Sequence, residues 1–452
     1  MQVQDKLGWS MRSNSLVVVC SVIFSIVCML LVIQNSEGQT SFPDSLTLEQ
    51  AVNLTLSNHP AVAQAQQGMA AAEARIGTSR SSFYPDLYLS GIYVRIDPVP
   101  ELEIPPGPLE KLAPNNNYDF HLGLRQTLYD FSRTAASVDL ARSGYKAASD
   151  YVEQVKSTLA SRTISLFNMI LILRQSVEVL DDQIAALGQH LEISQRKVQA
   201  GTATDFDVLT TQVRIAAARN ERIDAANALE TQEIMLRQLT GLSQDRPVQL
   251  RGDFNRVPLS LDSDSLLQVA SQQRPEMIMA KDAERSASIQ LRLASLGDKP
   301  SLLLDLTSGF KNGYFPELDN LKANWSAGMM AQFPIFNGHR THHQKDEAEA
   351  GLRSARSRIE DIRLQIVADV KQALAGAEAS LEKIQNAELQ VKQAEDAVSI
   401  AEVKYEAGVV TNLDLLDAQT TLTQAQLNHL RALFNYVVSL NAVDRATGRK
   451  VW

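Results

Sequence analysis

RKVQAGTATDFDVLTTQ, residues 196–212, and VKYEAGVVTNLDLLDAQ, residues 403–419, are two versions of one stretch set 207 residues apart. Lys197 matches Lys404, Gly201 matches Gly408, Thr204 matches Thr411, Asp207 matches Asp414 and Gln212 matches Gln419. In both, a glycine breaks a long helical pattern and a Thr-x-x-Asp spacing follows. Glycine enters the left-handed conformation that ends a helix without a steric penalty, and a threonine three residues before an acid forms a capping box that starts the next helix. Gly201, Thr204 and Asp207, and likewise Gly408, Thr411 and Asp414, therefore read as the tips of two helical hairpins.

Working outward, the same offset pairs TLYDFSR (127–133) with PIFNGHR (334–340) and Thr240-Gly241 with Thr447-Gly448. Farther upstream the offset becomes 215, pairing Pro60 with Pro275 and Pro85 with Pro300, a change that unequal loops explain. LEQAVNLTLSNHPAV and LLQVASQQRPEM each end a short helix at a proline. Each half thus reads as helix, strand, loop, strand, long helix, break, long helix. The first repeat spans 39–250, with strands at about 84–95 and 118–130 and a helical hairpin over 132–241. The second spans 251–452, with strands at about 301–311 and 324–336 and a hairpin over 337–447.

The strands alternate with the period of two that a sheet between two environments requires. In YDFHLGLRQTL, Phe120, Leu122, Leu124 and Leu128 alternate with Asp119, His121, Gly123, Arg125 and Thr127. NWSAGMMAQFPI alternates through Trp325, Ala327, Met329, Ala331, Phe333 and Ile335, SLLLDLTSGF is less clean, and YPDLYLSGIYV is the weakest. The loop over 96–117 is long and holds six prolines, whereas 312–323 is short and holds one. The long helices carry the four-three spacing of a coiled-coil seam through Leu173, Val177, Leu180, Ile184, Leu187, Leu191, Ser194 and Val198. At the 207 offset Val391, Ala394, Val398, Ala401 and Tyr405 continue the same seam in the second half. A helix from 132 to 199 is about 100 Å long at 1.5 Å per residue, too long for a compact globular domain.

Both cysteines, Cys20 and Cys28, lie in the apolar run 16–33, after Lys6 and Arg12 and before a small, polar segment. The run reads as a signal peptide over 1–38, cleaved near Gly38; it exceeds the usual apolar core of about 7–15 residues, which leaves an uncleaved anchor as the alternative. The exported chain is then free of cysteine and rests on packing. A net charge of −9, with no basic stripe of interleaved aromatics, excludes nucleic acid as a partner. No Ser/His/Asp set, Walker loop or GxGxxG is present, so neither an enzyme nor a cofactor is expected.

Strands with an apolar stripe in an exported protein point to a membrane β-barrel, since a closed barrel satisfies every backbone group in lipid. Four strands cannot close, so more than one copy is required; three give about twelve strands, within the usual range. From about Leu46 to Gly448 the chain resembles the TolC family of outer-membrane efflux proteins. The resemblance rests on YEAGVVTNLDLLDAQ, TLYDFSR, PIFNGHR, LEQAVNLTLSNHPAV and the Thr-Gly ends, in the same order twice. It implies a mainly α fold with a small β part: a homotrimer with a 12-stranded barrel in outer-membrane lipid and coiled-coil hairpins forming a periplasmic α-barrel. It also implies a passive export duct working with a periplasmic adaptor and an inner-membrane transporter. The alternative from the residues alone is a periplasmic coiled-coil scaffold or adaptor without a pore, which has no use for a lipid-facing stripe.

The resemblance places Asp414 and Asp417 at the periplasmic entrance, where the family narrows its pore with aspartates. Asp207 and Asp414 share the capping spacing, but Asp417 aligns with Thr210, so capping does not account for it. Some relatives carry a basic tether two residues after the tip glycine; here that residue is Val410. His339, His342 and His343, with Asp346 or Glu347, have a spacing able to hold a metal, although a polar first helical turn at the membrane boundary is the better account of them and no metal is expected.

Overall fold

The computed structural model describes residues 45–103, 107, 109–244, 249–252 and 262–450; the signal peptide expected over 1–38 lies outside them. Helix α1 (Leu48–Asn58) opens on a capping box between Thr47 and Gln50 and stops at the residue before Pro60. Helix α2 (Pro60–Ser81) follows with its proline at N1. Then come β1 (Asp86–Arg95), β2 (Glu101–Glu103), β3 (Leu109–Lys111) and β4 (Asn116–Tyr129), and the first hairpin, α3 (Arg133–Gln199) and α4 (Asp205–Thr240). The second half repeats this order with α5 (Ser263–Gln273), α6 (Pro275–Ser295), β5 (Ser301–Lys311), β6 (Lys322–Gln332), α7 (Arg340–Glu406) and α8 (Asn412–Thr447). The long helices match in length, 67 residues in α3 and α7 and 36 in α4 and α8.

The main sheet is antiparallel in the order β1-β4-β5-β6, so β4 and β5 join the two halves while β1 and β6 are open edges. Register sorts its side chains. Leu89, Leu122, Ser308 and Trp325 form one cross-strand row, with Leu87, Leu124, Leu306 and Ala327 in the next row of the same face. Leu89 is 82% exposed and Trp325 78%, so this apolar face is bare in the single chain. The opposite face is polar: Arg125 Nε donates to Asp305 Oδ2 at 3.1 Å, Lys311 pairs with Asp119, and Thr307 meets Ser326 at 2.7 Å. On this face the Tyr88 ring lies across Gly123, where any Cβ would stand 2.3 Å from the ring.

One boundary and one element differ from the sequence reading. β6 stops at Gln332 rather than near 336, because Pro334 has no N–H to continue the ladder. The proline-rich loop contains a small hairpin, β2 with β3, in which Glu101 pairs with Lys111.

The two halves bury equivalent cores between each short helix pair and the hairpin beside it. Val62, Leu159, Ile170, Leu236 and Leu239 in the first correspond to Met277, Ile366, Ala377, Val443 and Ala446 in the second. Contacts between halves are one-sided. Helix α3 packs on α6 and α8, whereas their repeat equivalents do not meet: α7 touches neither α2 nor α4. Across the α3–α8 seam Asn441 Nδ2 donates to the Ser161 carbonyl at 3.1 Å and to Ser165 Oγ at 3.2 Å.

Candidate functional site at the hairpin tips

Both tips close by the same local chemistry. Gly201 and Gly408 have φ of +75° and +72°. At the first tip the Thr202 amide donates to the Lys197 carbonyl and the Gly201 amide to Val198, at 2.8 and 2.9 Å. At the second the Val409 amide donates to Lys404 and the Gly408 amide to Tyr405, at 2.8 and 3.1 Å. This paired closure satisfies the last carbonyls of each long helix. The amide and hydroxyl of Thr204 then donate to Asp207 Oδ2 at 2.9 and 2.8 Å, and those of Thr411 to Asp414 Oδ2 at 2.8 and 2.7 Å. The Thr411 hydroxyl, and then its amide, hold the Asp414 carboxyl below its ordinary range.

Asp417 lies one turn farther along α8 and makes no cap. Its Oδ1 accepts from Arg214 Nη2 of α4 at 3.0 Å, and both side chains are exposed. Thr210, at the equivalent place on α4, donates its hydroxyl to the carbonyls of Phe206 and Asp207 within its own helix.

Between the hairpins lies a buried polar seam to which the sequence reading assigned no role. Asn412, the first residue of α8, is 5% exposed; its Nδ2 donates to the Asp207 carbonyl at 3.1 Å and to Thr210 Oγ1 at 3.2 Å. With its amide committed, its Oδ1 accepts from His190 Nε2 of α3, which puts a proton on Nε2. Burial pushes the His190 imidazole below the ordinary histidine value; the Asn412 hydrogen bond opposes this and the Lys197 charge adds to it. Tyr405 stands edge-on to His190 with ring centroids 5.0 Å apart. Lys197 lies 3.9 Å over the tyrosine ring and donates to its carbonyl at 2.7 Å. Beneath these groups Leu416, fully buried, packs with Leu187, Ile215 and Ala218 of the first hairpin. With valine at position 410, the cations that bridge the hairpins near the tips, among the described residues, are Lys197 and Arg214, both from the first half. The traces of this seam in the sequence are departures from the repeat: Asn412 stands where the first half has Asp205, and Tyr405 where it has Val198.

The three candidate metal residues do not converge. His339 has φ +61° and turns its ring against Phe336, as Ser132, its counterpart, has φ +66°. His342 and His343 lie 3.4 and 3.9 Å from one carboxyl oxygen of Asp346. Among the described residues no group of three or more potential ligands is placed to hold a metal ion.

The family model described as Outer membrane efflux protein matches residues 51–242 and 266–449. The outer membrane protein TolC of Vibrio cholerae is 24% identical over 410 residues, covering 89% of this chain and 90% of that protein. The alkaline protease secretion protein AprF of Pseudomonas aeruginosa is 23% identical over 333 residues, covering 72% of this chain and 68% of that protein. Among solved structures, the CmeC outer membrane channel of Campylobacter jejuni superposes with a TM-score of 0.77 at 18% identity, covering 89% of this chain and 85% of that one.

Proposed function

The chain belongs to the outer membrane efflux protein family, and from that premise we propose that three copies close edge to edge into one pore. The protein is an outer-membrane channel serving efflux or secretion. Its working state includes partners in the periplasm and inner membrane, in keeping with a relative named for secretion. The observation that carries the ring is the sheet: one apolar face, one polar face and two open edges, β1 and β6. An open edge in lipid leaves backbone groups without partners, and three four-stranded sheets joined β6 to β1 remove every edge. The number three comes from the family; the edges themselves require more than one copy.

The helices support the same assembly. α7 of one copy and α2 and α4 of the next repeat the contacts that α3 makes with α6 and α8 inside each chain. Leu209, 58% exposed on α4, then finds against α7 of a neighbour the cover that Leu416 finds against α3. The polar face of the sheet lines the lumen and the apolar face meets lipid.

At the tips, Asp414 and Asp417 of three copies form the acidic constriction of the entrance, where a low-dielectric wall concentrates negative potential and favours cations. Lys197, Arg214 and the His190–Asn412 contact hold the second hairpin against the first and keep the entrance narrow. Docking of a periplasmic adaptor falls to the same tips. The full chain in planar bilayers tests this reading: Asp414→Asn with Asp417→Asn, which keeps the cap, lowers the cation-to-anion permeability ratio, and Arg214→Gln raises it. A ratio unmoved by either change removes these aspartates from the constriction.

A further inference from the structure

A second polar site lies far from the tips, in the seam between the two halves. α3, the start of α6 and the end of α8 enclose a cleft of about 550 Å³ whose lining includes Arg162, Arg274 and Arg445 together with Thr158, Ser161 and Ser165. A smaller cleft of about 320 Å³ adjoins it across Arg274 and Arg445. Of the three arginines, Arg274 alone has carboxylate partners among the described residues, Glu276 at 3.1 Å and Asp369 at 2.6 Å. Its Nη1 is buried and donates to nothing among the described residues. Arg162 and Arg445 form no ion pair among the described residues. Three guanidinium groups against two carboxylates leave the seam net positive, and a buried donor without an acceptor adds to the cost.

The repeat shows that this charge is not a demand of the fold. At the 207 offset Arg162 aligns with Asp369 and Arg445 with Gln238, and at the 215 offset Arg274 aligns with His59. The equivalent places on the repeated helices hold an acid, an amide and an imidazole, so forming these helices does not itself call for three arginines. Planar guanidinium forks with nearby hydroxyls are the side chains that recognise tetrahedral oxyanions by paired hydrogen bonds.

We propose that this cleft binds a small soluble oxyanion of the phosphate class, held by Arg162, Arg274 and Arg445, which ties the first half of the chain to the second. The ligand comes from the aqueous compartment, because the lining residues lie on the helices or, for Arg274, at the one-residue link between α5 and α6, and none lies in the sheet. The test is calorimetric titration of inorganic phosphate into the full chain, purified in neutral detergent without phosphate and at low salt. Saturable binding of one phosphate per chain is expected. Arg162→Gln, at an exposed position that leaves folding intact, weakens it about tenfold, and Arg162→Gln with Arg445→Gln abolishes it. Arg219→Gln, an exposed arginine of α4 outside the cleft, leaves it unchanged. Absence of saturable binding, equal affinity in Arg162→Gln, or equal weakening by Arg219→Gln overturns the site. None of these outcomes depends on conductance, so the channel reading stands or falls separately.

Discussion

At the second hairpin tip Asn412 and Leu416 are buried against the first hairpin, whereas their equivalents at the first tip, Asp205 and Leu209, face solvent. The turns are the same, down to the glycine φ and the Thr-Asp cap. Local sequence therefore builds the tip, and the surroundings decide what the tip does. A duplicated hairpin whose copies share their turn and differ in support has one copy anchored inside the chain and one free to be anchored by something else.

The largest test of that contrast is truncation of the two leucines. Leu416→Ala is expected to cost about 2–5 kcal/mol, the usual range for a fully buried leucine, seen as a lowered midpoint of the helical circular dichroism signal. Leu209→Ala is expected to leave the packing of the chain itself unchanged and to lower the temperature at which copies dissociate. Equal damage to the isolated chain from both would erase the distinction between the tips.

The glycines make the opposite prediction, that the tips behave alike. Gly201→Ala and Gly408→Ala each force a Cβ into the left-handed region at a cost of about 1–2 kcal/mol. Neither site has a neighbour within 4 Å to add to the strain. Thermal melts of the two variants should agree within a few tenths of a kcal/mol, and a large inequality would show that the turns are less equivalent than their hydrogen bonds.

The smallest expected effect is a dependence on pH confined to the second tip. Because the folded His190 holds its proton less tightly than a free histidine, whose ordinary value is 6.5, nothing is lost above that pH, where both states are neutral. As the pH falls below it, the undocked chain takes up a proton that the seam refuses. Docking weakens until the imidazole is protonated in place. Ser194, Lys197, Tyr405 and Asn412 face the ring, with Asp207 and Glu402 acting at longer range. Amide exchange over 405–416 should rise on acidification from pH 7 to 5 in the native chain and stay flat in His190→Gln, while 198–209 changes in neither.

How much of this was legible follows from the same contrast. The repeat fixed the order of elements, and Pro60, Pro85, Pro275 and Pro300 marked the same joints in both halves. The tips were legible because a glycine turn and a capping box lie within eleven residues of chain. The β2–β3 hairpin was not, because ELEIPPGPLEK offers three residues to each strand around prolines that read as loop. The polar seam escaped for a different reason: its contacts join residues 201 to 222 apart, with Lys197 reaching Tyr405 and His190 reaching Asn412. Matching residues announce the repeat, whereas Asn412, Tyr405 and Asp417, which make contacts between the repeats, fail to match.

The equal lengths of α3 and α7 have a mechanical consequence. Two columns of 67 residues, rising from one sheet, bring both tips to the same height. Deleting one heptad from each arm of both hairpins lowers the tips together by about 10 Å and keeps every face in phase, at 1.5 Å per residue. The same deletion in one half makes a step of about 10 Å and pulls Asn412 out of reach of His190. Six tips in a closed ring would then present a staggered rim instead of a level one, and a partner that seats flat would meet only alternate hairpins. Column length is thus a gauge of levelness, checked by every contact that crosses between the halves.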